Sequence, residues 1–214
     1  MGDQELISYL WHVVEGDYES IKQHLVIFSE QRGWTIDLLQ SWGIDQFINV
    51  HPNHHHQLVF PSRYLLLWAN GVVYQTPEFG LEVHTAAIAT IRRFDVLEHR
   101  LWRAQSELLL PIIDDIRLRI CGYLTEVYGE DWAFRCNNPN STIEAKAVAD
   151  NPFAVQWGYL EYLLSNHNRF KSERKLMPIV STSRRIRNEI AHYRPVSYRD
   201  YKSFCLELER FSFG

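Results

Sequence analysis

The residues best suited to catalysis lie near the C-terminus, in the stretch RRIRNEIAHYRP at residues 184–195. Arg187 is followed directly by Asn188, and His192 lies four residues after Asn188. An imidazole gains or loses a proton near neutral pH, and a guanidinium group offers planar, charged donors that match phosphate oxygens. Because an RNA strand supplies its own nucleophile, the 2′-hydroxyl, these residue types can cleave RNA without a metal ion.

The spacing of this stretch predicts a helix that begins after Ser181 or Thr182 and runs to Tyr193. At 100° per residue, one narrow stripe of that helix is apolar and would face the core. Asn188, His192 and Arg185 fall on the opposite face, and Arg187 lies on the flank. The polar cluster should therefore face solvent or a second protein surface. The apolar stripe consists of Ile186, Ile190 and Tyr193.

The elements that position this cluster are predicted to be helices along most of the second half of the chain. A long helix is predicted over residues 81–109, and a second should begin at Pro111, which suits a first helical turn, and end at Gly129. An aromatic helix is predicted over residues 153–164, after a loop at 135–152. Ser197 should cap a last helix that contains Phe204. The second half is therefore expected to be a bundle of about five helices.

The N-terminal part of the chain is less regular. The first thirty residues predict two helices separated at Gly16 and Asp17, and residues 35–42 predict a short helix. The segment around Asn70 and Gly71 fits either a helix stop or a hairpin turn, and the sequence does not decide between them. Residues 1–78 are therefore predicted to form a mostly helical extension of unknown role.

The charge of the chain is unevenly distributed. The protein has 214 residues, a net charge of −4 and an isoelectric point near 6.2, which argues against a surface that is basic throughout. Residues 169–214, however, contain eleven Lys or Arg and five Asp or Glu, a net charge of +6. Such a segment can either hold a polyanion or form an ordinary solvated helical face.

The pattern Arg187-Asn188-xxx-His192 resembles the active-site motif of HEPN proteins (higher eukaryotes and prokaryotes nucleotide-binding domains). Their motif is an arginine, a polar residue, three to five further residues and a histidine. The surrounding residues Ile190-Ala191-His192-Tyr193-Arg194-Pro195 are similar to members of abortive-infection and related defence families. The resemblance covers roughly residues 80–214, and it extends to the aromatic helix near Trp157.

The resemblance implies an all-α fold, with a HEPN-type helical bundle at residues 79–214. It further implies a homodimer with a composite active site that cleaves RNA without metal or cofactor, as in toxins and antiviral defence effectors. If the roles of the family's motif residues apply here, His192 would be the general acid/base and Arg187 would bind the scissile phosphate. Asn188 would orient the imidazole ring or the phosphate. Outside the motif, Arg184, Arg185 and Arg194 are proposed as RNA-binding residues. An antitoxin or other regulatory partner is also expected.

A second interpretation keeps the fold and removes the catalysis. A HEPN module without activity would bind RNA, a nucleotide or a partner protein through the same face. The bare Arg…His spacing is weak on its own, since Arg92 and Arg93 also precede His99 by seven and six residues. That stretch lacks the polar residue after the arginine, because Phe94 follows Arg93.

Other candidate sites favour structural explanations. The histidines at 51, 54, 55 and 56 suggest a zinc site, but consecutive residues cannot all aim at one ion and no nearby cysteine or carboxylate completes a set. The pairs Asp114-Asp115 and Glu130-Asp131 are typical of solvated or capping charges, and no case for a nucleophile follows at Cys136. The aromatic residues Trp157, Tyr159 and Tyr162 favour core positions, and no glycine-rich phosphate loop is present. Three cysteines without a CxxC pair, no signal peptide and no long apolar run predict a cytoplasmic protein without a membrane anchor.

Overall fold

The computed structural model describes Leu6, residues 17–49, 62–76 and 80–133, Val148, and residues 151–211. Helices dominate these residues, and one two-stranded sheet is present among them. The predicted all-helical class is confirmed in this coarse form. By internal packing the chain divides into two compact units, Met1–Ala104 and Gln105–Gly214. The predicted division after residue 78 concerned family membership, and packing does not test it.

The first unit begins, in its described part, with helix α1, whose start is set by a side-chain cap. The Asp17 carboxylate accepts a hydrogen bond from the backbone N–H of Glu19 at 3.1 Å, as preferred at helix N-termini. Ile21 and Leu25 are buried one turn apart along α1, as their spacing predicts. The helix predicted before Gly16 lies outside the described residues. The helices of this unit are α1 Tyr18–Gln31, α2 Ile36–Ser41, α3 Ile44–Asn49, α4 Leu65–Ala69 and α5 Thr85–Thr90.

Asn70 and Gly71 form a helix stop, which resolves the alternative that the sequence left open. Asn70 ends α4, and Gly71 has a φ of +69° that only glycine adopts without cost. The chain then enters strand β1, Val73–Thr76, which pairs antiparallel with β2, Gly80–Val83.

The prediction of one helix over residues 81–109 and another from Pro111 is wrong. Residues 80–83 are strand β2, α5 ends at Thr90, and a single helix α6 runs over Phe94–Tyr128 with Pro111 inside it. Proline removes one helical hydrogen bond, at a cost of about 3 kcal/mol. Leu109 and Ile113, on either side of it, are both buried, whereas Pro111 is exposed. Burial of the flanking apolar residues therefore keeps the helix continuous.

The second unit packs helices around the C-terminal part of α6. It contains α7, Trp157–Asn166; α8, Met177–Ala191; and α9, Tyr198–Arg210, with 3₁₀ segments at Pro152–Ala154 and Asn168–Leu176. The predicted start of α8 after Ser181 or Thr182 is wrong, because the helix begins at Met177, with Pro178 in its first turn. Ser197 caps α9 as predicted, its hydroxyl accepting the Asp200 N–H at 3.1 Å. The large buried side chains of this unit include Trp132, Phe170, Ile186 and Phe204.

Candidate functional site

The motif residues lie on the last turns of α8. Ile186 and Ile190 are buried, which fixes the rotation of the helix. Arg187 and His192 are exposed and Asn188 is half-buried, in agreement with the outward orientation that the spacing predicts. His192 is the C-cap residue of the helix. The fold therefore presents the three side chains together at one helix end.

Helix α8 ends in a tight hydrogen-bonded turn. The N–H of Tyr193 donates to the carbonyl of Ile190 at 3.1 Å, and the N–H of Arg194 donates to the carbonyl of Glu189 at 3.0 Å. This pattern places the residue after the cap in the left-handed region, and Tyr193 has a φ of 58° there. Pro195 disfavours helical geometry at the residue before it, so the chain must leave the helix at this point.

The predicted place of Tyr193 in the core stripe is wrong. The helix ends at Ala191, and Tyr193 is 73% exposed. Because its backbone is left-handed, the helical periodicity that would align it with Ile186 and Ile190 no longer applies. Val196 enters the core in the segment that follows.

The segment after the motif is anchored to α6 by one buried side chain. The Gln105 amide nitrogen donates to the Val196 carbonyl at 3.0 Å, and the Val196 N–H donates to the Gln105 side-chain oxygen at 2.6 Å. Gln105 is fully buried and Val196 is 4% exposed. This pair of hydrogen bonds holds the connection between α8 and α9, four residues after His192, in one position.

Three arginines near the motif are paired with carboxylates of the same chain. The three predicted RNA-binding arginines thus already have acidic partners. Arg185 is 2.8 Å from Asp200 on α9, and Arg194 is 2.8 Å from Glu189. Arg184 is paired with Glu161 on α7.

The Glu161 carboxylate also accepts a hydrogen bond from the Ser181 hydroxyl at 2.5 Å. Burial raises the pKa of Glu161, but the hydrogen bonds from Ser181 and Arg184 outweigh it and leave the pKa below its usual range. Glu161 is therefore ionised at neutral pH and joins α7 to α8.

Arg187 differs from these three arginines. Within the residues that the structure describes, its guanidinium has one hydrogen bond, to the Asn188 side-chain oxygen at 3.4 Å, and no ion pair. Its charge is therefore available to an external anion. Asn188 and His192 are one turn apart on nearly the same face, whereas Arg187 lies about 140° around the helix from His192.

The motif residues lie apart from the cleft that the structure describes in this unit. A cleft of about 740 Å³ exists in the same unit, but Leu176 and Ile179 line it at the beginning of α8, at the other end of that helix. Arg119, Lys175 and Arg210 contribute positive charge to its walls, and Glu126 and Glu207 contribute negative charge. The three motif residues are not among its lining residues.

The other candidate sites lie only partly within the described residues. Among the described residues, no group of three His, Cys, Asp or Glu side chains is placed to hold a metal ion. Asp114 is paired with Arg117 at 2.8 Å, and Trp157 and Tyr159 are buried, whereas Tyr162 is 41% exposed. The histidines at 51, 54, 55 and 56 and Cys136 lie outside the described residues.

Comparison with protein families, with curated proteins and with solved structures found no match to this chain. No helix in the described part of the chain is both long and apolar enough to cross a membrane. The residues of the site itself therefore carry the evidence for a function.

Proposed function

We propose that this protein is a HEPN-type, metal-independent endoribonuclease of the toxin or antiviral-defence kind. The observation that carries the proposal is the exposed end of α8, where Arg187 lacks a carboxylate partner among the described residues and hydrogen-bonds to Asn188, one turn before the exposed His192. Arg184, Arg185 and Arg194, in contrast, are paired within the chain. An available guanidinium and an exposed imidazole at the same helix end suit a phosphodiester substrate.

The proposed reaction is an internal transfer at phosphorus. The 2′-oxygen forms a bond to the adjacent phosphorus as the bond to the 5′-oxygen breaks, which leaves a 2′,3′-cyclic phosphate and a 5′-hydroxyl. One group removes the 2′-hydroxyl proton and another supplies a proton to the leaving 5′-oxygen. Arg187 stabilises the additional negative charge on the phosphate, and Asn188 orients the imidazole or the phosphate.

A homodimer gives this reaction the groups that it needs. Two proton transfers call for two acid–base groups, and one chain supplies one His192 at the cluster. A two-fold pairing of α8 ends would bring a second His192 and a second Arg187 to the same phosphate. It would also place a second protein surface opposite the motif face. An antitoxin or regulatory protein covering that face would block the reaction.

The test is cleavage of end-labelled single-stranded RNA and of total tRNA in the presence of EDTA. Wild type should cleave and leave a 2′,3′-cyclic phosphate, and His192→Ala and Arg187→Ala should each be slower by about 100-fold or more. Arg199→Ala removes an exposed arginine of α9 outside the motif and is the matched control, with wild-type activity expected. Equal cleavage by wild type and both motif variants, all folded, would contradict the assigned site.

The second candidate is a HEPN module that binds RNA, a nucleotide or a partner protein without turnover. The pairing of three nearby arginines with carboxylates favours this candidate, because a face whose positive charge is largely neutralised is sufficient for modest binding. Expression distinguishes the two candidates. An active toxin should be poorly tolerated as wild type and well tolerated as His192→Ala, whereas a binding module should be tolerated equally in both forms.

A further inference from the structure

Tyr193 adopts a backbone conformation that its side chain disfavours. Its φ of 58° lies in the left-handed region, where glycine is the usual residue after a helix cap. Arg92, with a φ of 60°, is the other non-glycine residue with positive φ in the described part of the chain. A bulky residue in this region stores conformational strain, which is characteristic of functional positions.

The same turn exposes an aromatic ring that the helix would otherwise bury. Continued helical geometry would align Tyr193 with the buried Ile186 and Ile190. Instead the ring is 73% exposed, directly after His192. The chain therefore gives up both relaxed backbone geometry and aromatic burial at this position.

We propose that the Tyr193 ring is a stacking platform for a nucleobase next to the scissile phosphate, so that the site takes unpaired RNA. The inference rests on the proposed function, because the phosphate is the one bound by Arg187 and His192. Every nucleobase has a face that stacks on an aromatic ring, so such a platform tolerates different sequences. Bases within a duplex are already stacked, and splayed single-stranded bases are available.

The test measures RNA affinity with cleavage prevented by His192→Ala in every protein compared. Tyr193→Gly removes the ring and relaxes the backbone, so it should bind a labelled single-stranded RNA about tenfold more weakly while melting at or above the temperature of its parent. Tyr193→Phe keeps the ring and should bind like the parent. Arg92→Gly is the matched control, since it relaxes the other left-handed turn and should leave RNA affinity unchanged.

An RNA series with one abasic ribose at successive positions separates stacking from a general structural effect. One abasic position should weaken binding by the parent about tenfold and should have no effect on Tyr193→Gly, because the ring that it contacts is gone. Tyr193→Gly binding as tightly as the parent, or an equal abasic penalty in both proteins, would overturn the inference. Wild-type cleavage is measured separately. Absent cleavage with intact ring-dependent binding refutes the ribonuclease alone, and cleavage with ring-independent binding refutes the platform alone.

Discussion

Replacing Gln105 with methionine tests whether one buried amide fixes the chain beside the motif. Methionine has nearly the same length but makes no strong hydrogen bonds, so Gln105→Met leaves the N–H and the carbonyl of Val196 without their present partners. An unsatisfied buried polar group costs about 1–3 kcal/mol. The apolar side chain offsets part of this loss. We therefore expect the free energy of unfolding to fall by about 2–4 kcal/mol.

The measurement is urea unfolding followed by circular dichroism, in which the midpoint should fall while the slope stays unchanged. Gln40→Met is the control, because Gln40 is exposed on α2 and its replacement should leave the midpoint where it is. RNA cleavage by folded Gln105→Met should also decline, since the segment after His192 loses its anchor to α6. A loss of stability below about 1 kcal/mol would refute the reasoning that these two hydrogen bonds hold the segment.

Two further predictions concern pH and salt. Burial, together with the positive charges of Arg100 and Arg32, lowers the pKa of His84 to about 4 from its usual 6.5. Stability should therefore fall as the pH drops from about 6.5 to 4, by up to about 2 kcal/mol after allowance for partial exposure. His84→Asn keeps a side chain that can cap the helix, so unfolding curves measured over a pH series should not show this loss of stability. The same pH dependence in His84→Asn and wild type would contradict the assignment to His84. Arg187 is the motif arginine without an ion pair in the described chain, so it should contact an RNA phosphate. A plot of the logarithm of single-stranded RNA affinity against the logarithm of salt concentration should therefore have a slope of about −0.7 for each Arg187 bound to a phosphate. Glu161→Gln frees Arg184 and should steepen that slope by a similar amount, whereas a wild-type slope already several times steeper would mean that the paired arginines also bind phosphate.

The rotation of α8 was predictable because its apolar residues recur at helical spacing. Ile186 and Ile190 set the rotation of α8, and their spacing alone is enough to place Arg187, Asn188 and His192 on the outside of the helix. The start of α9 was predictable because the Ser197 cap is a local signal. Local patterns of this kind need no knowledge of the neighbouring helices.

Two local signals misled the sequence interpretation, for different physical reasons. Pro111 is a frequent first residue of a helix, but burial of Leu109 and Ile113 on either side keeps α6 continuous through it. Tyr193 continues the apolar stripe in sequence, yet its backbone is left-handed and ends the helical geometry although the residue is not glycine. The available signal was Pro195, which disfavours helix at the preceding residue.

The distribution of free charge could not be predicted at all, because it depends on residues that are distant in sequence. Residues 169–214 carry a net charge of +6, which on its own suggests a broadly basic face. Folding brings Glu161 of α7 to Arg184 and Asp200 of α9 to Arg185, and so neutralises two charges of the stretch. Among the four arginines of the stretch 184–195, the guanidinium without a carboxylate partner in the described chain is that of Arg187. The proposed phosphate contact at Arg187 is therefore distinguished from its neighbours by ion pairs that only the fold creates, and the number of arginines in the segment is a poor guide to it.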